Sequence, residues 1–257
     1  MTTPAPRHPP LPTAVLRLLV LGLVLVVLPA AGLVLFTDKP TARYLEFPPR
    51  TQYVAHADVS PALVAGLAVV ELLTAGGILW LLRRAREAAG RACAPERAFP
   101  WWGWLGLVTG AGAWVLAWTR FDWFAPLQAH TFVPLWLSYI LVANAWCHRR
   151  SGSSPLTRTP GFYLLLFPAS AVFWWFFEYL NRFVQNWYYV LPRDHGAVAY
   201  AALGSLSFAT VLPAVWATHD LLLTLPACGR GLAHGPALRP PWPRAAAATV
   251  LAAAGAG

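Results

Sequence analysis

Polar residues interrupt the most aromatic run of this 257-residue chain. In Phe173–Val190, FWWFFEYLNRFVQNWYYV, residues Glu178, Asn181, Arg182 and Gln185 stand at i, i+3, i+4 and i+7. A helix continuing through them puts all four on one face. Such a stripe is either a site or the place where a helix leaves a membrane. The chemistry open to Glu178 is proton donation or acceptance, because burial favours the neutral acid and a neighbouring cation favours the carboxylate. Trp187 and Tyr189 follow closely, aromatic residues able to line a lipophilic pocket. Between two other apolar runs, TRFDWFAPLQAHTFVPLW offers Arg120, Asp122 and His130, and a later loop adds Asp194 and His195. A histidine carries protons near neutral pH. On this reading Glu178, His130 and Asp122 do acid–base work, and Arg120, Asn181, Arg182, Gln185, Trp187 and Tyr189 contact substrate. The Glu178 stripe is then expected to face Arg120, Asp122 or His130 across a bundle. The competing reading makes Arg120/Asp122 and Glu178/Arg182 charge pairs at an interface and nothing more.

A second carboxylate, Glu71, lies midway along GLAVVELLTAGGILW. At that depth in an apolar segment it is expected to be covered by other helices, as a proton- or cation-binding group or as a packing hydrogen bond. Ala68, Thr74 and Ala75 give it a small-residue face. No motif calls for a cofactor. H-E-x-x-H, D-D-x-x-D, G-x-S-x-G and a phosphate-cradling glycine loop are all missing, and Cys93, Cys147 and Cys228 show no metal-binding or disulfide spacing. His130 and His148 bracket one apolar segment about 27 Å apart by helix rise, too far to share a metal.

These residues need elements to hold them, and composition says which. The chain is 58% hydrophobic and 11% charged, with 14 tryptophans, where soluble domains carry roughly 25% charged residues. Six apolar segments, at 14–36, 61–82, 99–119, 131–147, 161–180 and 197–218, are expected to span a bilayer, and a seventh starting near Ala245 is cut off by Gly257. Its 13 residues reach about 20 Å, short of the roughly 30 Å hydrocarbon core. The expected fold is an all-α polytopic transmembrane bundle: a tail over 1–13, a transmembrane domain over 14–218, a Pro/Arg-rich linker over 219–244 and the start of a further helix over 245–257. The uncharged stretch 18–36 is longer than a signal-peptide core, so an anchor is expected there. With the N-terminus cytoplasmic, 13 of the 19 basic residues fall on the inner side and 6 on the outer, as the positive-inside rule requires. The net charge of +9 thus reflects topology, with membrane lipids and a lipophilic small molecule as partners rather than nucleic acid. Gly106-x-x-x-Gly110, with Ala113 and Ala117, reads as a helix-packing seam. Trp101, Trp102, Trp104, Trp118 and Trp123 read as interfacial belts.

Trp174-Trp175-x-x-Glu178, then Asn186-Trp187-x-Tyr189, then a helix with LSFATVLP, together resemble small membrane lycopene cyclases over some 40 residues. The resemblance implies a membrane enzyme that protonates a polyene through carboxylates. The paired-glutamate P-x-E-E of those cyclases has no counterpart, and Ser205-Leu206-Ser207-Phe208 stands there instead. With its PLW…Y and FWWFFEYLN helices, the whole chain also resembles uncharacterised bacterial multipass membrane proteins. The arginine-, alanine- and proline-rich bias agrees with a GC-rich bacterial genome. The function expected is binding or transforming a lipid or isoprenoid near the external leaflet of a bacterial inner membrane. A small ion-coupled carrier working through Glu71 and a structural membrane subunit are the alternatives.

Overall fold

The computed structural model describes residues 11–38, 40–49, 58–89, 97–189, 196–225 and 228. Asp194, His195, Cys93, the tail before Leu11, the 229–244 linker and the seventh apolar segment lie outside the described residues. Among the described residues every regular element is helical: α1 Leu11–Phe36, α2 Ala42–Leu45, α3 Pro61–Ala89, α4 Trp101–Trp118, α5 Phe132–Ser151, α6 Pro155–Arg158, α7 Pro160–Val184, α8 Ala197–Phe208 and α9 Val211–Leu223, with a 3-10 segment over Asp122–His130. Each of the six apolar segments read from the sequence is therefore helical. Among the described residues, three stretches are long and apolar enough to cross a membrane: Pro61–Arg84, Pro160–Val184 and Ala197–Leu223. The chain forms two compact units, Met1–Asp58 with Arg97–His219, and Val59–Glu96 with Asp220–Gly257.

In the first unit, α4 and α5 pack most closely. Small residues permit it: a Cβ added at Gly103 would lie 2.4 Å from the Ala145 Cβ, and one at Gly106 would lie 2.9 Å from the Leu141 Cβ. Gly110 faces Ser138, and Thr109 shares a hydroxyl hydrogen bond with Ser138 at 3.0 Å. The Gly106–Gly110 seam is thus the α4–α5 contact, one turn longer than the sequence pattern suggested.

The corner from α5 to α7 is built by capping. Gly152 takes the left-handed conformation at φ 82° and its N–H closes on His148 O at 2.7 Å, a position glycine fills without a Cβ penalty. Ser154 and Thr157 then form a reciprocal capping box on α6, with Pro155 at its first position. Asn144, fully buried on α5, ties this corner to the rest. Its amide donates to Tyr163 Oη and to Ile140 O, both at 2.9 Å, and its oxygen accepts from Leu156 N at 3.1 Å. Tyr163 in turn donates to Pro213 O at 2.8 Å.

The last apolar segment is not one continuous helix, as its hydropathy suggested. It breaks at Ala209–Thr210 into α8 and α9. Pro213 has no N–H to offer the preceding turn. Ser170 of α7 enters the gap: its hydroxyl accepts from Leu212 N at 3.0 Å and donates to Phe208 O at 2.5 Å. One side chain thereby substitutes for the missing 212→208 backbone bond. Within a buried segment the groups freed by a break need such partners.

In the second unit the described structure is chiefly α3, with Thr74 bonded back to Val70 O. Glu71 is exposed on it. Thr74, three residues further along the same face, spends its hydroxyl on Val70 O.

Candidate functional site

α7 carries Glu178 two turns before its end, about 9 Å below Val184 by helix rise. The helix does run on past it, to Val184, and Gln185 then takes the left-handed conformation at φ 53°. That residue turns the chain back over the helix end. Glu178 is 6% exposed, and its carboxylate is occupied on one side only. Trp187 Nε1 donates to Oε1 at 2.9 Å and the Tyr189 hydroxyl donates to the same Oε1 at 2.6 Å. No hydrogen bond is made at Oε2 among the described residues. Two donors thus converge on one oxygen of the carboxyl group. Burial, then the bond to Glu178, push the Tyr189 phenol well above its ordinary range, so it remains a donor.

The aromatic residues before and after Glu178 belong to one cluster of rings. Trp174 and Trp175 of α7 pack on Phe208 with centroids 5.8 and 5.1 Å apart. Tyr189 lies 6.5 Å from Phe208, and Tyr200 of α8 lies 6.3 Å from Trp175. Trp175 Nε1 donates to Ser205 Oγ at 2.9 Å, and Gly204 lets the two helices approach there. Phe47, from the segment after α2, meets Tyr200 edge-on at 5.5 Å and Trp175 at 5.9 Å. Trp174 Nε1 is buried without a good hydrogen-bond partner.

The other sequence candidates separate into two groups. Asn181 belongs to the site but faces protein: its amide donates to Trp187 O at 2.8 Å, and its oxygen accepts from Asn186 N at 2.9 Å and Trp187 N at 3.4 Å. Arg182 does not pair with Glu178. It donates to Tyr44 O at 3.4 Å and to Glu46 O, and lies 5.8 Å over the Phe47 ring. The interfacial Glu178/Arg182 pair is therefore not formed, because the backbone carbonyls around α2 take the guanidinium. Gln185 serves as the reversal point, with its Oε1 buried and unpaired.

Arg120, Asp122 and His130 do not join this cluster. The 3-10 segment carrying Asp122 and His130 packs on α4 and α5, and both side chains are exposed. Arg120 caps the end of α4 through Ala117 O and Thr119 O, both at 3.1 Å. Gln128 caps it too, donating to Leu116 O and Ala117 O at 2.9 Å. The free carbonyls at a helix C-terminus attract such donors. The expectation that Glu178 faces these residues across the bundle is corrected: its partners come from the loop immediately after its own helix.

Sequence reasoning missed Tyr200, Phe47 and Ser170. Tyr200 lies in an apolar segment and Phe47 in the loop between the first two, with nothing to mark either as part of this cluster, and Ser170 reads as a minor polar residue within a span. Pro213 was the one available signal, since a proline inside a helical run implies a break that something must satisfy. Among the described residues no group of three or more His, Cys, Asp or Glu side chains stands close enough to hold a metal. Comparison of the chain with protein-family models, with curated proteins and with solved structures gives no match.

Proposed function

We propose that this chain binds or transforms a lipophilic substrate, a lipid or isoprenoid, at the outer end of α7, with Glu178 Oε2 as the polar atom that meets it. In this reading the chain is a six-span inner-membrane bundle with its N-terminus in the cytoplasm, and Glu178 lies near the external leaflet. The observation that carries it is the asymmetry of the carboxylate: among the described residues Oε1 holds both protein donors and Oε2 holds none. A buried acid serving structure alone is expected to spend both oxygens on the fold. An oxygen left open beside a cluster of aromatic rings suits a proton donor to, or a hydrogen-bond acceptor from, a mainly hydrocarbon ligand. The resemblance of the Trp-Trp-x-x-Glu and Asn-Trp-x-Tyr segments to membrane lycopene cyclases points the same way.

The test is mass spectrometry of lipids co-purified with the wild-type protein and with Glu178→Gln. The expected result is a lipophile enriched over bulk membrane lipid in the wild type and lost from the variant. Identical lipid profiles from two equally folded proteins would overturn the reading.

A further inference from the structure

We infer that Asn181 is a positioning residue, which holds Trp187 on Glu178 and thereby decides which carboxylate oxygen faces the ligand. This deepens the functional reading above and rests on it for its consequence, though not for its geometry. Glu178 and Asn181 are three residues apart on one face of α7, and both grip the same tryptophan. Asn181 holds its backbone, donating to Trp187 O at 2.8 Å and accepting from Trp187 N at 3.4 Å, while Glu178 accepts from its indole at 2.9 Å. A further bond from Asn186 N to Asn181 Oδ1 at 2.9 Å fixes the residue before it. Gln185 N closes on Asn181 O at 2.8 Å, so the reversal begins at the residue that later clamps its far side.

Asn181 spends its side-chain oxygen and one amide hydrogen on the chain's own backbone. Its side chain makes one donor and two acceptor contacts to backbone, a use for which asparagine is suited and an apolar isostere is not. Without the clamp, residues 186–187 would follow only the left-handed turn at Gln185, and the indole would be free to leave Oε1. Oε1 would then be open to the ligand as well, and the single orientation of the acid would be gone. Misplacement of a reacting group by an ångström is enough to impair a site.

The test uses the full chain in nanodiscs, labelled with 5-fluorotryptophan, with the Trp187 resonance assigned through Trp187→Phe. Asn181→Leu fills the same space without hydrogen bonds; Asn181→Asp keeps the acceptor for both N–H groups. The expected result is a displaced Trp187 resonance in Asn181→Leu, with the co-purifying lipophile lost, and a near-wild-type resonance with the lipophile retained in Asn181→Asp. A role in packing alone would make the leucine variant the better tolerated. An unmoved Trp187 resonance in Asn181→Leu overturns the inference, as does equal displacement in both variants. Should the leucine variant fail to fold, Asn181→Ser, which shortens the side chain without adding apolar bulk, is read by the same resonance. If Glu178→Gln retains the lipophile, the functional reading fails, while the Trp187 resonance still decides the role of Asn181.

Discussion

Replacing Glu178 by two residues of similar size separates its role as an acceptor from its role as an acid. Glu178→Gln keeps an oxygen for Trp187 and Tyr189; Glu178→Met fills the space and offers none. In the wild type both donors bond to Oε1, at 2.9 and 2.6 Å, and the residue is 6% exposed. A buried donor left without its partner costs about 1–3 kcal/mol. The Trp187 indole is half-buried, and Tyr189, 43% exposed, can turn its hydroxyl toward water, so it belongs at the low end. Both substitutions remove the buried carboxylate, so the orphaned donors make Glu178→Met less stable than Glu178→Gln by about 2–4 kcal/mol. Glu178→Gln weakens two charge-assisted bonds to neutral ones, by about 1 kcal/mol each, and removes the cost of burying a charge, which acts in the opposite direction. Its net effect is expected within about 1 kcal/mol of zero. The assay is reversible unfolding of the purified protein in mixed micelles, followed by circular dichroism. Equal stabilities for the methionine and glutamine variants would refute the geometry, because they would mean that the indole and phenol do not depend on that oxygen. The glutamine variant is also the one expected to lose function while keeping its fold.

Three further outcomes are expected. Gly103→Ala drives a Cβ to within 2.4 Å of Ala145 and should destabilise by about 1–3 kcal/mol through overpacking, while Gly112→Ala, with nothing within 4 Å of its Cβ, should stabilise the same helix by about 0.5–1 kcal/mol; unfolding of both variants checks the pair. Because the Tyr189 phenol is raised above its ordinary value of 10.0, its contribution is fully present below pH 10 and fades as pH climbs through the folded value, so stability should fall above about pH 10 and fall less in Tyr189→Phe. In a chain freed of its native cysteines, a cysteine at Asp122 should react with an impermeant reagent outside intact cells and one at Thr157 should not; labelling of Thr157 from outside would reverse the proposed orientation.

The residues that build this protein's helices announce themselves in the sequence. Apolar runs of the right length, punctuated by arginines, glycines and prolines, placed the helical segments now seen at α1, α3, α4, α5, α7 and α8–α9. The cause is local, since an uncharged run of that length can satisfy its backbone only within itself. The Gly106–Gly110 seam was legible for the same reason: small residues four apart lie on one face whatever that face meets. The periodicity likewise put Glu178 and Asn181 on one face of one helix. What that face meets was decided elsewhere. Gln185 turns the chain back in a left-handed conformation that nothing in its residue type demands, and so Trp187 and Tyr189, rather than Arg120 or His130, reach the carboxylate. Arg182 is drawn off by carbonyls 138 and 136 residues away in the chain. Ser170 finds its purpose only because the break between α8 and α9 leaves Leu212 N and Phe208 O open opposite it. Helical periodicity determines which residues share a face, but hydrogen-bond partners are set by distances between segments, and those exist only once the chain has folded.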